Sequence, residues 1–184
     1  MNYPQAYREY LFHFHGDRDY FECHEVLEEY WKSLLPDQRN DVWVGLIQIA
    51  VALYHHRRGN LPGAVKMMNS AIRLLEKEQH AVRQLGLDGQ ALFRLLAIRL
   101  DEMKCGAAYT SLNLPIADPD LQTICRQDCE ARGFSFGQPS NLDDEFLMHK
   151  HKLRDRTDVI EERRRQLLLR QERKDSPQPG GPAQ

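Results

Sequence analysis

His24 and Glu28 stand one helical turn apart in the run Tyr20 to Trp31, YFECHEVLEEYW, a spacing at which the two side chains can share a proton, a hydrogen bond or a metal ion. At about 100° per residue, Tyr20, His24, Leu27, Glu28 and Trp31 fall within roughly one third of a helix circumference. A histidine and a glutamate therefore occupy a stripe where helix geometry asks for core residues. Glu22, Glu25, Glu29 and Lys32 are expected on the solvated side. In the next apolar stretch, Val42 to Arg58, Gly45, Gln48, Ala52 and His55 recur at intervals of three, four and three and line one narrow face. Gly45 and Ala52 are small enough to admit a neighbouring helix. If that neighbour is the Tyr20 helix, packed antiparallel across a short loop, His24, Glu28, Gln48 and His55 converge.

Three chemistries suit such a cluster. As a metal centre, His24, Glu28 and His55 would ligate a divalent zinc, manganese or iron ion with water in an open position, and Glu25 or Glu28 would act as general base in hydrolysis. As a pocket for a small molecule or protein partner, His24, Glu28, Trp31, Gln48, His55 and Asn60 would supply polar groups on an apolar floor. As a structural network, Glu28 would accept from His24 or His55 while Trp31 donates its indole N–H. The familiar two-histidine helix motif is absent and the ligand number minimal. A binding module is thus preferred to a metal-dependent hydrolase.

Other candidates carry less. Of His55 and His56 only one can point inward, and the spacing assigns that role to His55, with His56 on the surface near a helix C-terminus. His13 and His15 could rim the same pocket, although a surface position is the simpler assignment. Cys125 and Cys129, at i and i+4, could chelate metal or exchange electrons. No second pair accompanies them, so they read as small half-buried residues.

The elements that must position these residues can be read from the stops and caps. Aromatic residues from Tyr3 to Phe14 make a short amphipathic helix ended by His15-Gly16-Asp17. Asp17 or Asp19 caps the next helix, which halts at Pro36, and Asn40 or Asp41 caps the apolar one. Gly59-Asn60-Leu61-Pro62-Gly63 stops that helix and starts another, carrying Ala64, Met68, Ala71, Ile72 and Leu75 at helical spacing. After a turn at Leu85 to Gly89, a helix from Gln90 to Lys104 presents Leu92, Phe93, Leu96, Leu100 and Met103. The expectation is an all-α, antiparallel up-and-down helical bundle over residues 1–106. Residues 107–141 read as an irregular peripheral segment with a short helix near Pro119 to Arg132, residues 142–174 as a long charged helix, and residues 175–184 as a disordered tail.

Bulk properties narrow the function classes. The 184 residues allow one domain and an appendage, and 41% hydrophobic with 28% charged content fits a soluble protein. A net charge of −2 argues against a general polyanion binder. Four cysteines without a CxxC pair suit a reducing, cytoplasmic setting, and the N-terminus lacks the pattern of a signal peptide. Val42 to Tyr54 is shorter than the roughly 20 residues a membrane span needs, so no membrane partner is expected. Between Lys150 and Asp175, ten basic residues mix with six acidic ones and no aromatic. That composition favours a solvated or partner-binding helix, with tethering to nucleic acid as the alternative.

Three ordered runs carry a family resemblance: YFECHEVLEEYW at 20–31, GLIQIAVALYHHRRGN at 45–60 and PGAVKMM at 62–68. Together they resemble the family catalogued as domain of unknown function 309, an all-α bacterial, archaeal and plastid group, over roughly residues 8–104. The polar positions matching its motif are His24, Glu25, Glu28, Trp31, Gln48, His55 and Asn60. The resemblance implies a helical fold and no particular activity, and it does not reach residues 107–184.

Overall fold

The computed structural model of the protein describes residues 3–153. Eight α-helices form there: α1 Gln5–His15, α2 Tyr20–Ser33, α3 Asp41–Arg57, α4 Leu61–Lys77, α5 Gln79–Gln84, α6 Gly89–Lys104, α7 Pro119–Ala131 and α8 Glu145–Leu153. A single 3-10 turn, Pro36–Gln38, precedes α3. No strand occurs among the described residues, apart from an isolated antiparallel bridge between Leu87 and Ile116. Side-chain caps explain where the helices begin. Asp19 accepts from Glu22 N, Asn40 from Val42 N, Asn60 from Gly63 N, Asp88 from Ala91 N and Asp118 from Asp120 N, each satisfying a donor that the first turn leaves without an intrahelical partner.

The expected all-α bundle is present. α3 lies between α2 and α4, α1 packs on α2 and α7, and α4 on α6. No helix among the described residues is long and apolar enough to cross a membrane. Residues 3–150 make up one compact unit. The charged helix begins at Glu145 rather than Leu142, and both its expected course over 154–174 and the tail at 175–184 lie outside the described residues. α5 was not expected, because Val82 is its sole fully buried side chain and gives no periodic signal.

Packing assigns Gly45 a different role from the one its spacing suggested. A Cβ there would stand 2.6 Å from the Leu75 side chain, so the small residue admits α4, not α2. Contact between α2 and α3 is made instead by large aromatic rings. Tyr30 meets Trp43 edge-on with centroids 5.1 Å apart, and Phe21 meets Tyr54 at 6.2 Å. From α1, Tyr10 donates its hydroxyl to the Leu46 carbonyl and Tyr7 to the Leu85 carbonyl, both at 2.9 Å and fully buried.

Basic side chains hold residues 107–118 onto the helices. Arg18 is 1% exposed and has a backbone φ of +61°, the left-handed region that an arginine rarely adopts. From there its guanidinium donates to the carbonyls of Phe14 at 2.6 Å, Leu112 at 2.8 Å and Gln138 at 2.6 Å, and to Asn113 Oδ1 at 2.6 Å. Arg99 donates to the Thr110 carbonyl at 2.7 Å and His56 Nε2 to that of Ala107 at 2.8 Å. His15, wholly buried, donates from Nδ1 to the Leu11 carbonyl and accepts from Leu114 N at Nε2, both at 3.0 Å. These bonds satisfy backbone groups of a segment with no ladder or helix of its own. The assignments of His56 and His15 to the surface are therefore corrected: each is a buried anchor.

Two outcomes follow from these anchors. Replacing Arg18 by Met removes the donors from two buried and two part-buried acceptors, and urea denaturation should show a loss of about 3 kcal/mol or more; a loss within about 1 kcal/mol would contradict the role assigned to it. Burial, reinforced by the Arg18 charge, holds His15 down to about 3 from its ordinary 6.5. The unfolded chain takes up a proton as pH falls below 6.5 while the folded chain does not, so this contribution is intact above pH 6.5 and lost progressively toward pH 3. Urea titrations at several pH values should show a steeper acid loss in the parent than in His15→Gln, by at most about 1.4 kcal/mol per pH unit. Identical slopes would refute the assignment.

Candidate functional site

α2 turns its core stripe slightly away from the one expected. Tyr20, Cys23 and Leu27 are fully buried, whereas His24, Glu25 and Glu28 sit at the edge of that stripe, half-open to solvent. Aromatic bulk causes the rotation, because Phe21, Tyr30 and Trp31 take the flanking positions against the core. Glu25, expected on the solvated face, instead approaches His24. His24 Nδ1 lies 3.0 Å from Glu25 Oε1, and Nε2 lies 3.6 Å from Glu28 Oε2, with the imidazole 30% exposed. Glu28 Oε1 also pairs with Lys32 at 3.0 Å. One donor atom from each of His24, Glu25 and Glu28 falls within 4.8 Å of the others, a geometry that a divalent ion could bridge. Phe21 meets the His24 ring edge-on at 6.2 Å and reaches across to Tyr54, so the group stands over the α2–α3 contact.

α3 contributes a single less-buried stripe. Val44, Gln48, Val51, His55 and Arg58 are half-buried at helical spacing, while most other α3 positions are buried. Gln48 Oε1 and the indole nitrogen of Trp31 are enclosed with no hydrogen-bond partner among the described residues. Each is a polar group whose burial is uncompensated in this conformation.

His55 is engaged elsewhere. Its Nδ1 faces Asn60 Nδ2 at 3.0 Å. Asn60 Oδ1 accepts from Gly63 N at 3.1 Å, which fixes the amide orientation and makes His55 Nδ1 the acceptor. In neutral His55 the proton therefore sits on Nε2. Burial lowers its pKa, and the charge of Arg58 lowers it further. A Cβ at Gly63 would stand 2.6 Å from Asn60 Nδ2, so that glycine leaves room for the cap. The Gly59-Asn60 and Gly63-Ala64 pairs thus form the joint between α3 and α4, with Gly59 in the left-handed region at φ +72°. Of the expected constellation, His24 and Glu28 are drawn together with Glu25 added, while His55 pairs with Asn60.

The remaining candidates are structural in their surroundings. His13 pairs with Asp17 at 2.9 Å. Cys125 and Cys129 are wholly buried rather than half-buried, and burial pushes their thiols up to about 12 and about 11, leaving them protonated. Sequence reading missed a cavity of about 820 Å³ beside the α5–α6 turn, lined by Tyr3, Arg83, Gly86, Asp88, Phe93 and Asp118 among others. The turn itself was legible, but Tyr3 and Asp118 arrive from 115 positions apart and no local pattern announces their meeting.

The family model described as domain of unknown function (DUF309) matches residues 7–67, a span that contains every residue of the α2 and α3 site. Uncharacterized protein YpuF of Bacillus subtilis (strain 168) is 50% identical over 173 residues, which cover 94% of this chain and 99% of that protein. No solved structure matches the chain. Identity at that level along nearly the whole length, together with the family match across α1 to α4, makes this chain a member of the DUF309 family.

Proposed function

We propose that the protein is a small binding module whose recognition surface is the half-open seam formed by His24, Glu25, Glu28 and Trp31 on α2 and by Gln48 and His55 on α3, and whose first ligand is a divalent cation. The observation that carries this reading is the convergence of one donor atom from each of His24, Glu25 and Glu28 within 4.8 Å, on side chains that remain accessible. An imidazole with two carboxylates suits zinc or manganese. Three ligands from one helix leave coordination positions open, and a partner or small molecule lying on the seam would fill them. Gln48 Oε1 and Trp31 Nε1 add an acceptor and a donor that have no partner among the described residues.

A metal-dependent hydrolase using His24, Glu28 and His55 is the rival. It would require His55 to present Nε2 as a lone pair, against the tautomer that Asn60 imposes. It would also require a general base, yet Glu25 and Glu28 both lie against His24. The seam supports holding an ion more directly than turning over a substrate.

Isothermal titration calorimetry of the full chain, purified without a histidine tag, with zinc and with manganese tests the reading. One ion should bind per chain, with affinity falling about tenfold or more in His24→Ala and in Glu28→Gln and little changed in His55→Ala. No binding at about 1 mM metal would overturn it. Equal loss in His55→Ala would move the site to the rival ligand set.

A further inference from the structure

Apart from the α2–α3 seam, ionisable groups line the cavity beside the α5–α6 turn. Its volume, about 820 Å³, falls in the range of small-molecule pockets, roughly 300–1,000 Å³. One wall is closed by specific bonds. Tyr3 donates its hydroxyl to Asp118 Oδ2, and the Gly86 carbonyl accepts from Ala117 N at 2.8 Å and Asp118 N at 3.1 Å. A Cβ on Gly86 would stand 2.5 Å from the Tyr3 hydroxyl, and its φ is +75°, so this wall closes only over glycine. Asp118 Oδ1 accepts from Asp120 N at 2.9 Å, which leaves that carboxylate occupied by the wall and the α7 cap.

Groups on the remaining sides are unspent. Arg83 makes no ion pair and Gln90 no hydrogen bond among the described residues, and both line the cavity. Asp88 uses Oδ1 to cap α6, which leaves Oδ2 available. Phe93 lines the same space and stacks on no other ring among the described residues. Gly89 brings no side chain, and a Cβ there would meet only Phe93 and Val82, at 3.9 Å.

Each free group selects a part of the ligand. A guanidinium without a partner binds an oxyanion. A half-buried aromatic ring packs against a planar ring. An amide and a carboxylate oxygen together match the mixed donors and acceptors of a heterocycle's edge. We infer that this cavity binds a nucleoside monophosphate, with Arg83 on the phosphate, Phe93 against the base, and Gln90 with Asp88 at the polar edge of the base.

Calorimetric titration of the full-length protein with AMP, GMP, adenosine and inorganic phosphate tests the inference. At least one mononucleotide should bind saturably, with a dissociation constant raised about tenfold or more by Arg83→Gln and binding abolished by Gly89→Leu, which fills the space before Phe93. Arg73→Gln, on α4 away from the cavity, should leave affinity unchanged. Arg83 is exposed and has no ion pair among the described residues, so its variant should melt with the parent and keeps the test decisive if Gly89→Leu unfolds. No saturable mononucleotide binding up to about 5 mM would overturn the inference. So would equal affinity for inorganic phosphate, or affinity unaltered in Arg83→Gln.

Discussion

Arg18 is the residue on which the arrangement of this fold turns. Its charge is buried, no carboxylate among the described residues meets its guanidinium, and three carbonyls with one side-chain amide oxygen share the donors. Desolvating a guanidinium is costly unless its N–H groups are met, and here the acceptors come from three separate parts of the chain: the end of α1, residues 112–113 and residue 138. The left-handed backbone at Arg18 turns the chain from α1 into α2 and aims the side chain inward at once. Arg57 completes the arrangement by donating to the Arg18 carbonyl at 2.7 Å and resting over the Tyr20 ring at 4.9 Å. This corner sets where α2 starts.

The same device recurs along residues 107–118. That stretch forms no helix, and its backbone groups find partners on His15, His56 and Arg99, which reach out of helices, and on Arg18 in the α1–α2 turn. Anchoring it places Ala117 and Asp118 against Gly86 and Tyr3, which builds the wall of the cavity beside α6. Buried basic residues therefore connect the core to both candidate sites. Arg18 and Arg57 sit at the start of α2 on one side, and His15, His56 and Arg99 hold the stretch that forms the cavity wall on the other.

Helix boundaries were readable because they rest on local chemistry. Asn40, Asn60, Pro36 and Gly59 act within a few residues of themselves, and a cap or a stop needs no knowledge of the rest of the fold. The direction of polar side chains was less readable, because it depends on distant partners. His56 and His15 looked like surface residues until Ala107 and Leu114, 51 and 99 positions away, supplied their hydrogen bonds. Gly45 looked like an opening toward α2 because the loop is short, yet the side chain it accommodates is Leu75. His24 and Glu28 were located by spacing alone. Glu25 joined them only once the aromatic residues had rotated the helix.

The central claim is that the exposed edge of α2 holds a cation between His24, Glu25 and Glu28. Paramagnetic broadening of backbone amide resonances in the full-length protein, titrated with substoichiometric manganese, reads the ion's position without any substitution. The account predicts selective loss of signals from the amides around His24 to Glu28, with the α5–α6 turn unaffected. Broadening centred on other residues, or uniform broadening without a focus, would contradict it.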